Sequence, residues 1–195
     1  MVAVMMVLFG YLLGSIPSAY IVGRVLRGID IREVGDGNVG AANAYREMGP
    51  AVGVAVLIAD VCKGMAAILV AQAFVSQPVV LVVGFAAVAG HIWPIFIRLR
   101  GGRGEATTIG VLSTLLPQAM LMLLAACAVP FLVTRNTMLA GAILLSPLWL
   151  VALLLGVSWP LVGFSIGLPC LVGLAHFLTT RHLPDDARRE AIYMR

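Results

Sequence analysis

Two short stretches carry most of the polar chemistry in this chain: GDGNVGAANAYR, from Gly35 to Arg46, and RLRGGRGEATTIG, from Arg98 to Gly110. In the first, Gly35, Gly37 and Gly40 free the backbone to take positive φ and turn successive N–H groups toward one point, as glycine-rich loops do around phosphate oxygens. Asn38 and Asn43 add amide donors, and Arg46 adds a planar fork matched to a phosphate. In the second, Gly101, Gly102, Arg103 and Gly104 run directly into an apolar helical segment with Thr107 and Thr108 in its first turn. A helix N-terminus of that composition suits an anion. The lysine and spacing of a nucleotide-binding phosphate loop are absent. Glu105 fits a cap on this helix that also neutralises Arg103.

A few further groups belong with these loops. Asp60 and Lys63, in LIADVCKG, stand three residues apart on one helical face, and Lys63 is the only lysine in the chain. Ionisable side chains inside an apolar helix are costly and point to a role with a named partner. Two readings stand: an ion pair that orients two helices, or a lysine that reaches an anionic ligand while Asp60 holds it. His91 lies three residues before Pro94, whereas His176 falls inside the last apolar run and reads as a packing residue. His182 sits beside Arg181 and Asp185, where a histidine can serve as base, acid or phosphate ligand.

The elements that must position these groups are membrane helices. Of 195 residues, 61% are hydrophobic and 11% charged, a composition that excludes a soluble domain. Helices of about 20 apolar residues span a bilayer. The candidate spans are residues 2–23, 51–74, 79–97, 106–116, 118–134, 138–155 and 160–180, the fourth being short. Fusing the fourth and fifth across Pro117 would give six. With seven crossings and the N-terminus outside, every arginine falls on the cytoplasmic side, as the bias of Lys and Arg toward inner loops requires. With six, the tail bearing Arg181, Arg188, Arg189 and Arg195 would be exported. The expectation is therefore an all-α integral membrane bundle of seven helices forming one domain over 1–195, with the C-terminus cytoplasmic. The first segment has no basic flank and no small-residue cleavage site, so it reads as a retained helix. Cys62, Cys127 and Cys170 are scattered singly and read as packing residues, with no metal site or cofactor implied. The net charge of +4 is explained by the membrane, without nucleic acid.

The motifs GSIPSAYIVGR (14–24), GDGNVGAANAYR (35–46), DVCKG (60–64), GHIWPIF (90–96), GGRGEAT (101–107) and RHLPDDAR (181–188) together resemble the bacterial acyl-phosphate:glycerol-3-phosphate acyltransferases, the PlsY family. The resemblance runs nearly end to end. It implies a seven-helix enzyme of the bacterial inner membrane, its active site facing the cytoplasm. Such an enzyme moves a fatty acyl group from acyl phosphate to the 1-hydroxyl of glycerol 3-phosphate, giving lysophosphatidate, and depends on an enzyme that forms the acyl phosphate. It implies catalytic roles for Arg46, His182 and Asp185. Phosphate and substrate contacts would come from Gly35, Asp36, Gly37, Asn38, Gly40, Asn43, Arg46, Lys63, His91, Gly101, Gly102, Arg103, Gly104, Thr107 and Arg181. The chain departs from the family pattern at five places: Asp36 for serine, Ala42 for threonine, Arg103 for lysine, Glu105 for valine and Asp185 for asparagine. A carboxylate beside a phosphate is unfavourable unless paired, so Asp36 is expected to pair with Arg103. A diverged relative with another phosphorylated acceptor, or a protein that binds or transports without transforming, is the alternative.

Overall fold

The computed structural model describes residues 1–181, and their regular elements are helices. The first expected span is two helices, α1 (Val2–Gly14) and α2 (Ser18–Arg27). Pro17 causes the break: it has no N–H and pushes the preceding residue out of helical backbone. The region between the first two spans contains a helix that was expected to be loop, α3 (Ala41–Met48), bounded by Gly40 and Gly49. It is followed by α4 (Pro50–Phe74) and α5 (Gln77–Ile92), then a 3-10 turn at Ile95–Ile97. Next come α6 (Glu105–Leu115), α7 (Pro117–Thr134), α8 (Thr137–Leu145), α9 (Leu148–Leu154) and α10 (Trp159–Thr180). The break between α8 and α9 falls at Ser146–Pro147, again a proline, inside the expected span 138–155.

Six helical segments are long and apolar enough to cross a membrane among the described residues: Val2–Arg27, Pro50–Phe74, Gln77–Ile97, Pro117–Thr134, Thr137–Leu154 and Trp159–Thr180. The expected fourth helix is present as α6, 11 residues long, or roughly 16 Å at an α-helical rise. It is not the first half of one long helix with α7. Glu105, Ala106 and Ile109 line the same groove as Leu124, Cys127 and Phe131, so the chain reverses at Leu116–Pro117 and α6 and α7 form a hairpin.

Small residues set the helix spacing, as they must where lipid offers no hydrophobic drive for helices to associate. Gly10 and Gly14, one turn apart on α1, press against Val83 and Ala87 of α5, and Gly90 of α5 presses against Tyr11 and Ser15. Gly64 of α4 and Gly110 of α6 make the equivalent contact with each other's helix, meeting Thr107 and Val61. A Cβ at Gly14, Gly64, Gly90 or Gly110 would collide with backbone, and one at Gly10 with the Val83 side chain. The central core is Ile68, Val83, Val88, Val111, Leu112, Met120, Leu148 and Leu168. A smaller cluster of Ala19, Ile31, Ala44, Met48 and Val56 underlies the first polar loop. Outward-facing Leu121, Val133, Leu154 and Phe177 are exposed, as expected of a surface solvated by lipid.

Candidate active site

The first loop is held by buried side chains. Asp30 accepts hydrogen bonds from the Arg32 N–H (3.0 Å), Arg32 Nε (2.9 Å) and Nη2 (2.6 Å), and Arg24 Nη2 (2.8 Å). The Arg32 guanidinium holds the Asp30 carboxyl well below the usual carboxylate range; burial opposes this and Arg24 adds to it. Arg32 Nη1 continues to the Ile97 carbonyl at 3.2 Å, tying the first loop to the second. Gly35 and Gly37 do take positive φ, at 58° and 68°. Gly40 is extended at −141° and needs no such freedom.

Asn43 corrects an expectation. It is fully buried, and its Nδ2 lies 3.2, 3.1 and 3.1 Å from the carbonyls of Ile31, Val34 and Asn38, while its Oδ1 accepts from the Asp36 N–H at 3.4 Å. The amide organises the loop instead of facing a ligand, because loop carbonyls turned into the interior need a donor. The backbone donors of Gly101 and Gly102 are likewise occupied, although Gly101 lines a polar cavity with Asp36 and Arg103. The two glycine N–H groups donate to the Ile92 carbonyl (3.2 Å) and the His91 carbonyl (3.1 Å), closing the C-terminal end of α5. Thr107 is fully buried, its carbonyl against Gly64, and lines neither of the two cavities that meet at this site.

The expected pairing across the two loops is formed. Arg103 Nη2 donates to Asp36 Oδ2 at 2.9 Å, and Arg46 Nη2 lies 3.2 Å from Asp36 Oδ1. The three side chains are nearly enclosed, at 10%, 12% and 2% exposure for Arg103, Arg46 and Asp36. One carboxylate between two guanidiniums leaves a surplus positive charge. Arg46 Nη1, Arg103 Nε and Asn38 Oδ1 are buried with no hydrogen-bond partner among the described residues.

The two cavities differ in character. An apolar groove of about 390 Å³ runs between α6, α7 and α8, walled by Ile109, Leu124, Phe131, Met138 and Leu144. A polar hollow of about 320 Å³ contains Asp36, Gly37, Arg100, Gly101 and Thr179. Asn38 and Arg103 line both. Gly104, with φ of 87°, opens α6 at this junction, and the first-turn N–H groups of that helix have no helical acceptor. Glu105 precedes the apolar run 106–116 and lies outside the six long spans. A third hollow, of about 690 Å³, is lined by Arg24, Arg32, Arg98 and Arg100, so the basic loops gather at one end of the bundle.

His91 comes to the groove, buried, with Nδ1 3.7 Å from Asp60 Oδ1 and Gly102 packed on its ring. Lys63 does not. Its Nζ lies 2.8 Å from Asp60 Oδ1 and donates to the Ile16 carbonyl at 2.9 Å, while Ser18 Oγ donates to the same Asp60 oxygen at 2.9 Å. Pro17 leaves the Ile16 carbonyl outside the helical ladder, so the pair orients α4 against the α1–α2 break, and the expected reach toward a phosphate is not made. His182 and Asp185 lie outside the described residues; Arg181, just before them, ends α10. His176, read as packing, lines the groove, as Trp93 and Thr179 line the hollow. Thr179 thus stands with the end of the last helix beside the loops, where the tail was expected, although no local pattern singled out Trp93, His176 or Thr179 themselves.

Comparison with known proteins extends over nearly the whole chain. The family model for glycerol-3-phosphate acyltransferases matches residues 4–189. Glycerol-3-phosphate acyltransferase 4 of Dehalococcoides mccartyi is 45% identical over 176 residues, 90% of this chain and 95% of that protein. The glycerol-3-phosphate acyltransferase of Endomicrobium trichonymphae is 36% identical over 97% of this chain and 96% of its own. The crystal structure of PlsY (YgiH), an integral membrane glycerol 3-phosphate acyltransferase in its glycerol 3-phosphate form, superposes with a TM-score of 0.85 at 32% identity, covering 93% of this chain and 91% of that one.

Proposed function

This chain belongs to the glycerol-3-phosphate acyltransferase family, and from that premise we propose that it takes its acyl group from an acyl phosphate and delivers it to the 1-hydroxyl of glycerol 3-phosphate, releasing lysophosphatidate. It is an integral membrane protein of the PlsY type. The observation that carries the donor assignment is the junction at Asn38 and Arg103, where an apolar groove opens into a polar, cationic hollow. The acyl chain lies in the groove, and both phosphates sit at the polar end, toward Arg103, Arg46 and Arg100.

An acyl phosphate is a mixed anhydride, so the reaction needs no covalent enzyme intermediate. The acceptor hydroxyl oxygen adds to the acyl carbonyl, the bond from that carbon to the phosphate oxygen breaks, and inorganic phosphate leaves with the bonding pair. The hydroxyl proton passes to a phosphate oxygen or to His182. Holding the two reacting atoms about 3 Å apart supplies much of the acceleration. Open N–H groups at the start of α6 are suited to steady the developing oxyanion. The α6–α7 hairpin favours seven crossings, with the N-terminus outside and the site facing the cytoplasm.

Purified protein supplied with palmitoyl phosphate and labelled glycerol 3-phosphate tests the reading. Lysophosphatidate with equimolar phosphate release is expected, and none from palmitoyl-CoA. Product from palmitoyl-CoA alone would overturn the donor assignment.

A further inference from the structure

The wall of the apolar groove contains a carboxyl group that the proposed reaction does not use. Glu105 lines the groove beside Ile109, Leu124, Phe131 and Met138. Its carboxyl faces Gly141 of α8, where even a Cβ would collide with it. Neutralisation by Arg103, expected from the sequence, is not made as an ion pair, because Arg103 turns to Asp36. Among the described residues, no hydrogen bond or ion pair reaches the Glu105 carboxyl. A polar group in apolar surroundings with no partner is costly, and here it faces the space that a ligand fills.

Its depth fixes which part of a ligand it meets. Glu105 is the first residue of α6, next to Arg103 and Gly104 at the polar end of the groove, and one helical turn rises only about 5.4 Å. An acyl chain with its carbonyl at the junction would therefore pass the carboxyl within its first few carbons. Resting on the acyl-phosphate reading, we infer that Glu105 is a specificity-determining residue that selects acyl donors bearing a hydroxyl close to the carbonyl, the 3-hydroxyacyl phosphates being the concrete class. The hydroxyl donates to a carboxyl oxygen, giving Glu105 a partner that none of the described residues supplies. A plain chain leaves it unpaired, and sites built to hydrogen-bond a hydroxyl discriminate strongly against analogues without one.

The test compares kcat/KM for 3-hydroxypalmitoyl phosphate and palmitoyl phosphate in the wild type, E105V and E105Q. The wild type is expected to prefer the hydroxylated donor by about tenfold or more, the scale of one buried hydrogen bond to a carboxylate. E105V should bring the two donors level, and E105Q, whose amide oxygen still accepts, should keep part of the preference. An unchanged ratio in E105V, or a wild type that prefers the plain chain, overturns the inference while leaving acyl transfer intact. If neither donor gives product, the acyl-phosphate reading itself fails. The shift in thermal midpoint that each donor produces without acceptor then reads the preference independently of turnover, and equal shifts for the two donors overturn it.

Discussion

At the scale of single residues, the site depends on a substitution pair. Asp36 would repel a phosphate if it stood alone, yet here it joins Arg103 and Arg46 into a cluster of net charge +1. The two departures should therefore couple. Asp36→Ser leaves both arginines without their anion, Arg103→Lys trades a fork for a point charge, and the double variant restores the family pattern. We expect each single change to lower kcat/KM by more than the pair together, with a coupling of about 1 kcal/mol or more from a double-mutant cycle; strict additivity would count against the pairing. Asp30 plays a structural part. A carboxyl held below its ordinary 3.8 stabilises the fold above that pH, and the contribution fades as the pH falls through and below it. Asp30→Asn should thus lower the thermal midpoint at pH 7, and the gap from wild type should narrow toward pH 3. The types and spacing of Asp36, Asn38 and Arg103 were legible in the sequence, including the pairing of Asp36 with Arg103. The occupation of the Asn43 amide and of the Gly101 and Gly102 N–H groups was not, because their acceptors come from other elements and no local pattern announces them.

At the scale of elements, prolines and buried charges work together. Pro17 interrupts the first span, and the Ile16 carbonyl, outside the helical ladder, accepts from Lys63, which Asp60 holds at 2.8 Å. Lys63→Met would strand Asp60, whose side chain is 1% exposed, a change that costs about 3 kcal/mol or more for a buried pair. For a chain of this size that is roughly 6–12 °C in the unfolding midpoint, and adding Asp60→Asn should recover part of it. Equal midpoints for wild type and Lys63→Met would show that the pair is idle. The helices themselves were readable because an apolar run long enough to span a bilayer rarely forms anything but a membrane helix. Their interruptions were less so: Pro17 and Pro147 are plain in the sequence, but a long apolar window continues across them. Helix α3 was missed because its glycine-rich approach reads as loop, although AANAYREM is a good helical sequence.

At the scale of the whole molecule, the arrangement of loops decides the reading. Arg24, Arg32, Arg98, Arg100, Arg103 and Arg46 converge through shared hollows and the Asp36 cluster. In a background lacking Cys62, Cys127 and Cys170, single cysteines at Arg100 and Arg135 should react with an impermeant maleimide only from the cytoplasmic side, and those at Gln77 and Gln118 only from outside. Mixed sidedness at 100 and 135 would remove the basis for a single inward-facing site. The hairpin at Leu116–Pro117 has one more effect, on the lipid itself. Pro117 and Gln118 are exposed at the tip, yet α6 is only 11 residues long, little more than half of a hydrocarbon layer about 30 Å deep. Headgroups of the outer leaflet must descend to meet that tip, so the bilayer is thinned beside the groove, on the face opposite the donor's phosphate. Turnover should then fall as the host membrane thickens, from dimyristoleoyl to dierucoyl phosphatidylcholine vesicles; rates indifferent to acyl length of the host lipid would mean that the surrounding leaflet stays flat.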